Sequence, residues 1–200
     1  MGVNSTLVEG NERATALVAF GSNLNGPEKN IMRALNLLAE TSCVHIVETS
    51  SFFKTFPVGG LSDQPVFVNG MVKIETTLAP LALLKELQRI ELELRRTRLV
   101  FWGPRTIDLD LILYGDVVME TRELTLPHPR LQWRDFVLEP ACEIAAETVV
   151  PTFGLSFQQL RALLLWNFEL YPFVCRRLGS DANFIEGSRK DAFEDRKSGR

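Results

Sequence analysis

Four stretches of strand character, two amphipathic helical stripes and their order along the chain, β-α-β-β-α-β, predict an α+β domain of the ferredoxin-like, split βαβ plan. In that plan an antiparallel sheet carries helices on one face, and here a C-terminal extension follows. The first strand is read at 15–20, TALVAF, a short apolar, partly β-branched run that stops at Gly21-Ser22-Asn23. A helix follows, because Pro27 suits a first helical turn and Ile31, Ala34, Leu35 and Leu38 recur at helical spacing to about Thr41. Residues 43–53 and 66–76 read as strands from their β-branched and aromatic content, with turn residues gathered in the intervening KTFPVGGLSDQP. That connection is long for a hairpin, and loops of about a dozen residues in compact domains are usually functional.

The second helix enters between Thr77 and Pro80 and carries Leu83, Leu84, Leu87, Ile90 and Leu94 as an apolar stripe to about Arg98. Trp102-Gly103-Pro104-Arg105 interrupts the chain. Residues 106–114 then alternate strictly over their first half before Gly115-Asp116 turns them. A short strand or hairpin over 117–126, a Pro-His-Pro turn, a helix from about Leu131 through Ala146 and a last amphipathic helix from Ser156 to about Phe168 complete the pattern. The expected limits are a flexible N-terminal arm at 1–14, one domain over 15–170 including the terminal helix, and a tail at 179–200 whose charge and few core formers predict disorder.

Composition narrows the function. The 200 residues, 46% apolar and 24% charged, suffice for one full core. With 22 Lys+Arg against 25 Asp+Glu the net charge is −3, which argues against nucleic-acid binding, whose affinity rests on many cationic phosphate contacts. Cys43, Cys142 and Cys175 lie far apart, and His45 and His128 are the only histidines, so neither a disulfide framework nor a structural zinc site is expected. The polar N-terminus and the lack of any run near the ~20 apolar residues of a membrane helix point to a cytoplasmic protein without membrane contact.

The strongest chemical signal is Asp108-Leu109-Asp110. On a strand, residues i and i+2 project to one face, so both carboxylates point one way while Ile107, Leu109 and Leu111 point into the core. Two such carboxylates repel each other, and Mg²⁺ is the natural compensation, since it takes one or two carboxylates together with phosphate oxygens and water. A solvated edge-strand pair explains D-x-D alone equally well. Arg95, Arg96, Arg98 and Arg105 shift the balance, because arginine clusters recognise phosphate and this combination suits phosphoryl transfer. A basic helix end complementing its dipole accounts for Arg95, Arg96 and Arg98 but not for Arg105 or the aspartates.

Other features are weaker. Residues 21–26 have G-x-x-x-x-G spacing, yet Pro27-Glu28 stand where a phosphate-binding P-loop requires Lys and Ser/Thr, so Asn23 is read as a loop anchor. His128, held between two prolines and followed by Arg130 and Arg134, reads either as structural or as a phosphate donor. Phe52, Phe53, Phe56 and Phe67 read first as core. Asn69, an amide inside the apolar strand VFVNGMV, needs partners that a planar heterocycle would supply.

Seven segments bear a family resemblance: A-F-G-S-N-L at 19–24, T-F-P-V-G at 55–59, Q-P-V-F-V-N at 64–69, Q-R-I-E at 88–91, W-G-P-R-T-I-D-L-D at 102–110, L-T-L-P-H at 124–128 and R-D-F-V-L-E-P at 134–140. Over about residues 15–150 the sequence thus resembles the 6-hydroxymethyl-7,8-dihydropterin pyrophosphokinase family of folate biosynthesis. The resemblance implies transfer of the ATP β,γ-diphosphoryl group to the pterin hydroxymethyl, releasing AMP, with two Mg²⁺ ions held by Asp108 and Asp110 and with ATP as co-substrate. It implies that Asp108 also helps deprotonate the attacking hydroxyl and that Arg96 and Arg105 stabilise charge on the transferring phosphates. Gln88, Glu91, Arg96, Trp102, Arg105, Leu111, Thr125, His128 and Arg134 would contact ATP. The pterin would stack between Phe136 and Phe67, with Asn69, Thr55 and the backbone near Val58 reading its edge and Trp102 closing over it. No obligate protein partner is implied.

Some positions depart from the family. Arg95 stands where a glycine commonly precedes the helix-end arginine, Phe67 replaces a frequent tyrosine, and Glu123 and Pro129 occupy positions of an arginine and an aromatic residue. A different class of function, a non-catalytic ferredoxin-like module for RNA or a small molecule, shares the predicted fold. Its aromatic RNA-binding strand signature is missing from 43–53, 66–76 and 106–114, and the intact Asp108, Asp110, Arg96 and Arg105 weigh against a dead sensor.

Overall fold

The computed structural model describes residues 13–56, 65–95, 104–166 and 176–177. The N-terminal arm to residue 12, the polar tail at 179–200, and Val58, Arg96, Arg98 and Trp102 lie outside the described residues.

The main sheet is antiparallel. Strand β1 (Ala14–Ser22) lies between β4 (Phe67–Thr76) and β5 (Asp108–Tyr114), and the far edge of β4 pairs in succession with β2 (Val44–Thr49) and β3 (Phe53–Thr55). Strand β10 (Arg176–Arg177) pairs with β3. The apolar run of β1 is buried on both faces, which explains why it reads as continuous rather than alternating. Ala16, Val18 and Phe20 join the cluster beneath α1 (Pro27–Glu40) and α2 (Pro80–Glu93), together with Ile31, Leu35, Leu83 and Leu87. Leu17 and Ala19 join the opposite cluster with Met71, Ile112 and the inward faces of α3 (Asp135–Ile144) and α4 (Phe157–Trp166).

Helices α1 and α2 share one face of the sheet, as the βαββαβ order led us to expect, and the opposite face, for which the sequence set no expectation, is covered as well. The C-terminal extension is the reason: Leu17, Met71 and Ile112 form an apolar second face, and Val137, Leu138, Ala141, Phe157 and Leu160 cover it. Among the described residues no helix is long and apolar enough to cross a membrane.

Other boundaries also shift for local reasons. The strand expected over 43–53 breaks at Ser50, whose N–H donates to Met71 O at 2.9 Å and whose Oγ accepts from Met71 N at 2.9 Å. A side chain thus replaces a ladder carbonyl, and β3 resumes at Phe53, taking Lys54 and Thr55 out of the expected loop. Helix α2 ends at Glu93 rather than near Arg98, because Arg95 adopts φ 57. The alternation in β5 stops where a bulge leaves Ile112 without a partner on β1, so that Ile112 and Leu113 both enter the second cluster. The helix expected over 131–146 is divided into a 3₁₀ turn at Leu131–Trp133 and α3, with Arg134 extended between them at φ −120, ψ 102. The hairpin expected over 117–126 is present as β6 (Met119–Glu120) and β7 (Thr125–Leu126). An unanticipated small pair, β8 (Val149–Val150) with β9 (Leu155–Ser156), leads into α4.

Candidate active site

The strand register brings the predicted residues together. Gly21 on β1 stands opposite Asn69 of β4 on one side and Asp108 of β5 on the other. Two residues earlier, Ala19 stands between Met71 and Asp110. Because side chains alternate along strands, Asn69, Asp108 and Asp110 share the face of Ala19 and Met71, beside α3, while Leu109 and Leu111 are buried beneath α1 and α2. The side chains of Asp108 and Asp110 are 17% and 41% exposed.

Each aspartate has an arginine. Arg105 Nη1 donates to Asp108 Oδ2, and Arg134 Nη1 donates to Asp110 Oδ2 at 3.5 Å. Arg134 reaches Asp110 from the extended residue between the 3₁₀ turn and α3, and its guanidinium carbon lies 5.5 Å from the centroid of the Phe136 ring. Burial lowers the pKa of Arg134, with Asp110 opposing the shift. A pair of cations beside a pair of carboxylates supplies groups of the kind that a polyphosphate needs.

Asn23 is the anchor that the sequence suggested. Its Oδ1 accepts from Arg105 N at 2.7 Å, its N–H donates to Arg105 O at 3.1 Å, and its Nδ2 donates to Pro65 O at 3.1 Å. The neighbouring Ser22 Oγ donates to Thr106 O at 2.6 Å. The strand end of β1 thereby fixes the backbone that carries Arg105 into the aspartate strand.

Glu91 has a place that sequence reasoning missed. It is 5% exposed on α2, and its Oε1 accepts from the Leu109 N–H at 2.7 Å, so a buried carboxylate holds the main chain between the two aspartates. The available signal was its position four residues after Leu87, inside the apolar stripe, where an acidic residue is unexpected. Gln88, three residues earlier on the same helix, is exposed. Leu111, placed by the resemblance among the ATP contacts, is 3% exposed, so its side chain belongs to the core.

On the other side of Gly21, Asn69 Nδ2 donates to Thr55 Oγ1 at 2.6 Å, with both residues buried. Phe67 and Phe136 are half-buried. Thr125 lies half-buried on β7, and His128 follows a cis Leu126–Pro127 bond. The His128 N–H donates to Ile112 O at 2.9 Å, and its Nδ1 accepts from Arg130 N at 3.2 Å. Burial first, then the charges of Arg134 and Arg130, push its pKa down to about 4, against the pull of Asp108. The imidazole is therefore neutral near pH 7, and with Nδ1 accepting, its proton is on Nε2.

Among the described residues no group of three or more His, Cys, Asp and Glu side chains could hold a metal. Asp108 and Asp110 present two carboxylates on one face, and a divalent cation held there would take its remaining ligands from phosphate oxygens and water. That donor set fits Mg²⁺ and not a protein-enclosed zinc or calcium site.

Comparison with known proteins places the chain in a family. The sequence pattern of the 7,8-dihydro-6-hydroxymethylpterin-pyrophosphokinase (HPPK) family matches residues 17–146. The 2-amino-4-hydroxy-6-hydroxymethyldihydropteridine pyrophosphokinase of Haemophilus influenzae is 50% identical over 137 residues, covering 68% of this chain and 85% of that protein. Its Bacillus subtilis namesake is 45% identical over 132 residues, 66% of this chain and 78% of that one. A folic acid synthesis protein of Schizosaccharomyces pombe is 39% identical over 143 residues, 72% of this chain but 19% of that longer protein. A crystal structure of a Plasmodium falciparum HPPK-DHPS triple mutant superposes with a TM-score of 0.64 over 82% of this chain and 45% of that one, and at 14% identity it speaks to the fold alone. The chain belongs to the 7,8-dihydro-6-hydroxymethylpterin-pyrophosphokinase family.

Proposed function

We propose that this protein transfers the diphosphoryl group of ATP to the hydroxymethyl of 6-hydroxymethyl-7,8-dihydropterin, releasing AMP, as a step of folate biosynthesis. The observation that carries this reading is the row Asn69–Gly21–Asp108 across three strands, which puts a buried side-chain amide and a carboxylate on one face. The family match supports it.

In this reading Asp108 and Asp110 would hold Mg²⁺, two ions in all, which would offset the triphosphate charge. Asp108 takes the proton of the substrate hydroxyl as its oxygen attacks the β-phosphorus and the bond to the α-phosphate oxygen breaks, leaving AMP. Arg105, already paired with Asp108, and Arg96 balance charge on the transferring group. Arg134, His128 through Nε2–H, Thr125, Gln88 and the Leu111 backbone orient ATP. Glu91 serves the nucleotide indirectly, by holding the strand between the aspartates. On the pterin side, Thr55 fixes the Asn69 amide so that Oδ1 is presented to ring N–H donors, Phe67 and Phe136 supply stacking faces, and the resemblance assigns Trp102 and Val58 to the same substrate.

The order β5-β1-β4 with β2 and β3 beyond supports a ferredoxin-like core under the added helices, and we take residues 15–170 as the catalytic unit. Cys43 and Cys142 as free thiols accord with a cytoplasmic setting. The test is incubation of the protein with the hydroxymethyl-dihydropterin, ATP and Mg²⁺. Pterin-dependent AMP is expected; ADP as the product, or no AMP above the ATP-only control, overturns the reading.

A further inference from the structure

We propose that Gly21 is a positioning residue for pterin recognition, kept free of a side chain so that the Asn69 amide can lie across β1 with its acceptor oxygen beside the transfer site. The inference rests on the pterin reading above and adds to it a residue that touches no substrate.

A glycine within a strand weakens it, and the usual compensation is a backbone conformation that other residues avoid. Gly21 has no such conformation: its φ lies outside the left-handed region occupied by Gly26, Gly115 and Gly154, and it pairs in regular register with Asn69 and Asp108. What it provides is space. A Cβ at position 21 would lie 2.4 Å from Asn69 Oδ1 and 3.6 Å from Asn69 Cγ, and among the described residues nothing else beyond its chain neighbours comes within 4 Å.

The amide has little means of retreat. Its Nδ2 is tied to Thr55 Oγ1 at 2.6 Å, Thr55 is 6% exposed and Asn69 8%, and the next residue across the sheet is Phe53. A methyl group at position 21 therefore either breaks the bond to Thr55 or turns Oδ1 away from the substrate face. Asp108 on the opposite side escapes, since none of its atoms lies within 4 Å of the added carbon. The geometry thus separates the two substrates: the pterin should register the change and the nucleotide should not.

The test is a double-mutant cycle between Gly21→Ala and Asn69→Ala, read by the pterin dissociation constant, by that of a non-hydrolysable ATP analogue with Mg²⁺, and by thermal unfolding without ligand. Gly21→Ala in the unmodified background should weaken pterin binding by about tenfold or more while leaving the ATP analogue within roughly twofold. Added to Asn69→Ala, where the clashing amide is gone, it should change pterin binding by less than about twofold and should no longer lower the melting temperature. If Gly21→Ala alone does not fold, recovery of folding in the double variant carries the same meaning. Unchanged pterin affinity in Gly21→Ala, or an undiminished loss in the Asn69→Ala background, overturns the proposal. Failure of the unmodified protein to bind the pterin would overturn the functional reading instead, and the unfolding cycle would still report on the Gly21–Asn69 contact.

Discussion

The Glu91 carboxylate accepts a hydrogen bond from the Leu109 N–H at 2.7 Å, so helix α2 grips strand β5 between the two aspartates that face the opposite side of the sheet. A buried main-chain donor must be paired, and here the partner comes from another layer of the fold. Glu91→Ala should cost about 1–3 kcal/mol of stability by orphaning that donor, and turnover should fall with it. Glu91→Gln keeps an acceptor oxygen at the same reach and should retain most of both. Urea denaturation and saturating-substrate rates of the two variants decide the matter; equal losses in Gln and Ala would assign the effect to charge and not to the bond.

The aspartates carry a sharper expectation. Asp108 is the more enclosed and is paired with Arg105, whereas Asp110 is more open and receives Arg134 at 3.5 Å. Asp108→Ala and Asp110→Ala should each reduce turnover by roughly a thousandfold or more, since under the proposed mechanism each removes a carboxylate that would hold Mg²⁺, and each also takes away the carboxylate that Arg105 or Arg134 faces. Arg105→Ala should slow transfer while leaving the pterin dissociation constant nearly unchanged. Wild-type turnover of Asp110→Ala at saturating Mg²⁺ would refute its role in metal binding.

The sequence discloses these carboxylates because a strand has a period of two and its buried residues, Ile107, Leu109 and Leu111, mark the parity without ambiguity. Arg134 was harder to place, because its reach to Asp110 depends on a break between a 3₁₀ turn and α3 that apolar spacing does not reveal. Helices on the second face were legible as helices but not as cover: the continuous apolar run of β1 signals burial on both faces without saying which element supplies the second cover. The functions of Gly21 and Glu91 are set by what lies opposite them in neighbouring strands and layers, and single-residue patterns carry that information only as an oddity: a glycine inside an apolar run, an acid inside an apolar stripe.

His128 predicts a pH dependence. Its pKa is pushed to about 4 in the folded protein by burial and by Arg134 and Arg130, against an ordinary value of 6.5. The folded state therefore holds the ring neutral, while the unfolded chain protonates it as pH falls through 6.5. Its contribution to stability is complete above that value and is lost progressively as pH drops to about 4. The loss is on the order of 2–3 kcal/mol. His128→Asn, which retains an acceptor for the Arg130 N–H, should be less sensitive to acid than the unmodified protein over this window. Denaturant midpoints at neutral and mildly acidic pH test this; parallel losses in the two proteins would count against it.

Arg95 predicts a gain. It follows the end of α2, its N–H donates to Leu92 O at 3.0 Å, and it adopts φ 57, the left-handed conformation in which a helix commonly terminates on glycine. An arginine there bears the steric penalty of its Cβ, about 1 kcal/mol, for a conformation that glycine enters freely. Arg95→Gly should therefore stabilise the protein by about 0.5–1 kcal/mol and raise the melting temperature by roughly 1–4 °C. Arg95→Ala supplies the control, because it removes the same charge while keeping the Cβ, and it should show no such gain. The difference between the two variants isolates backbone conformation from electrostatics near the arginine cluster, and a melting temperature for Arg95→Gly no higher than that of Arg95→Ala would refute the assignment.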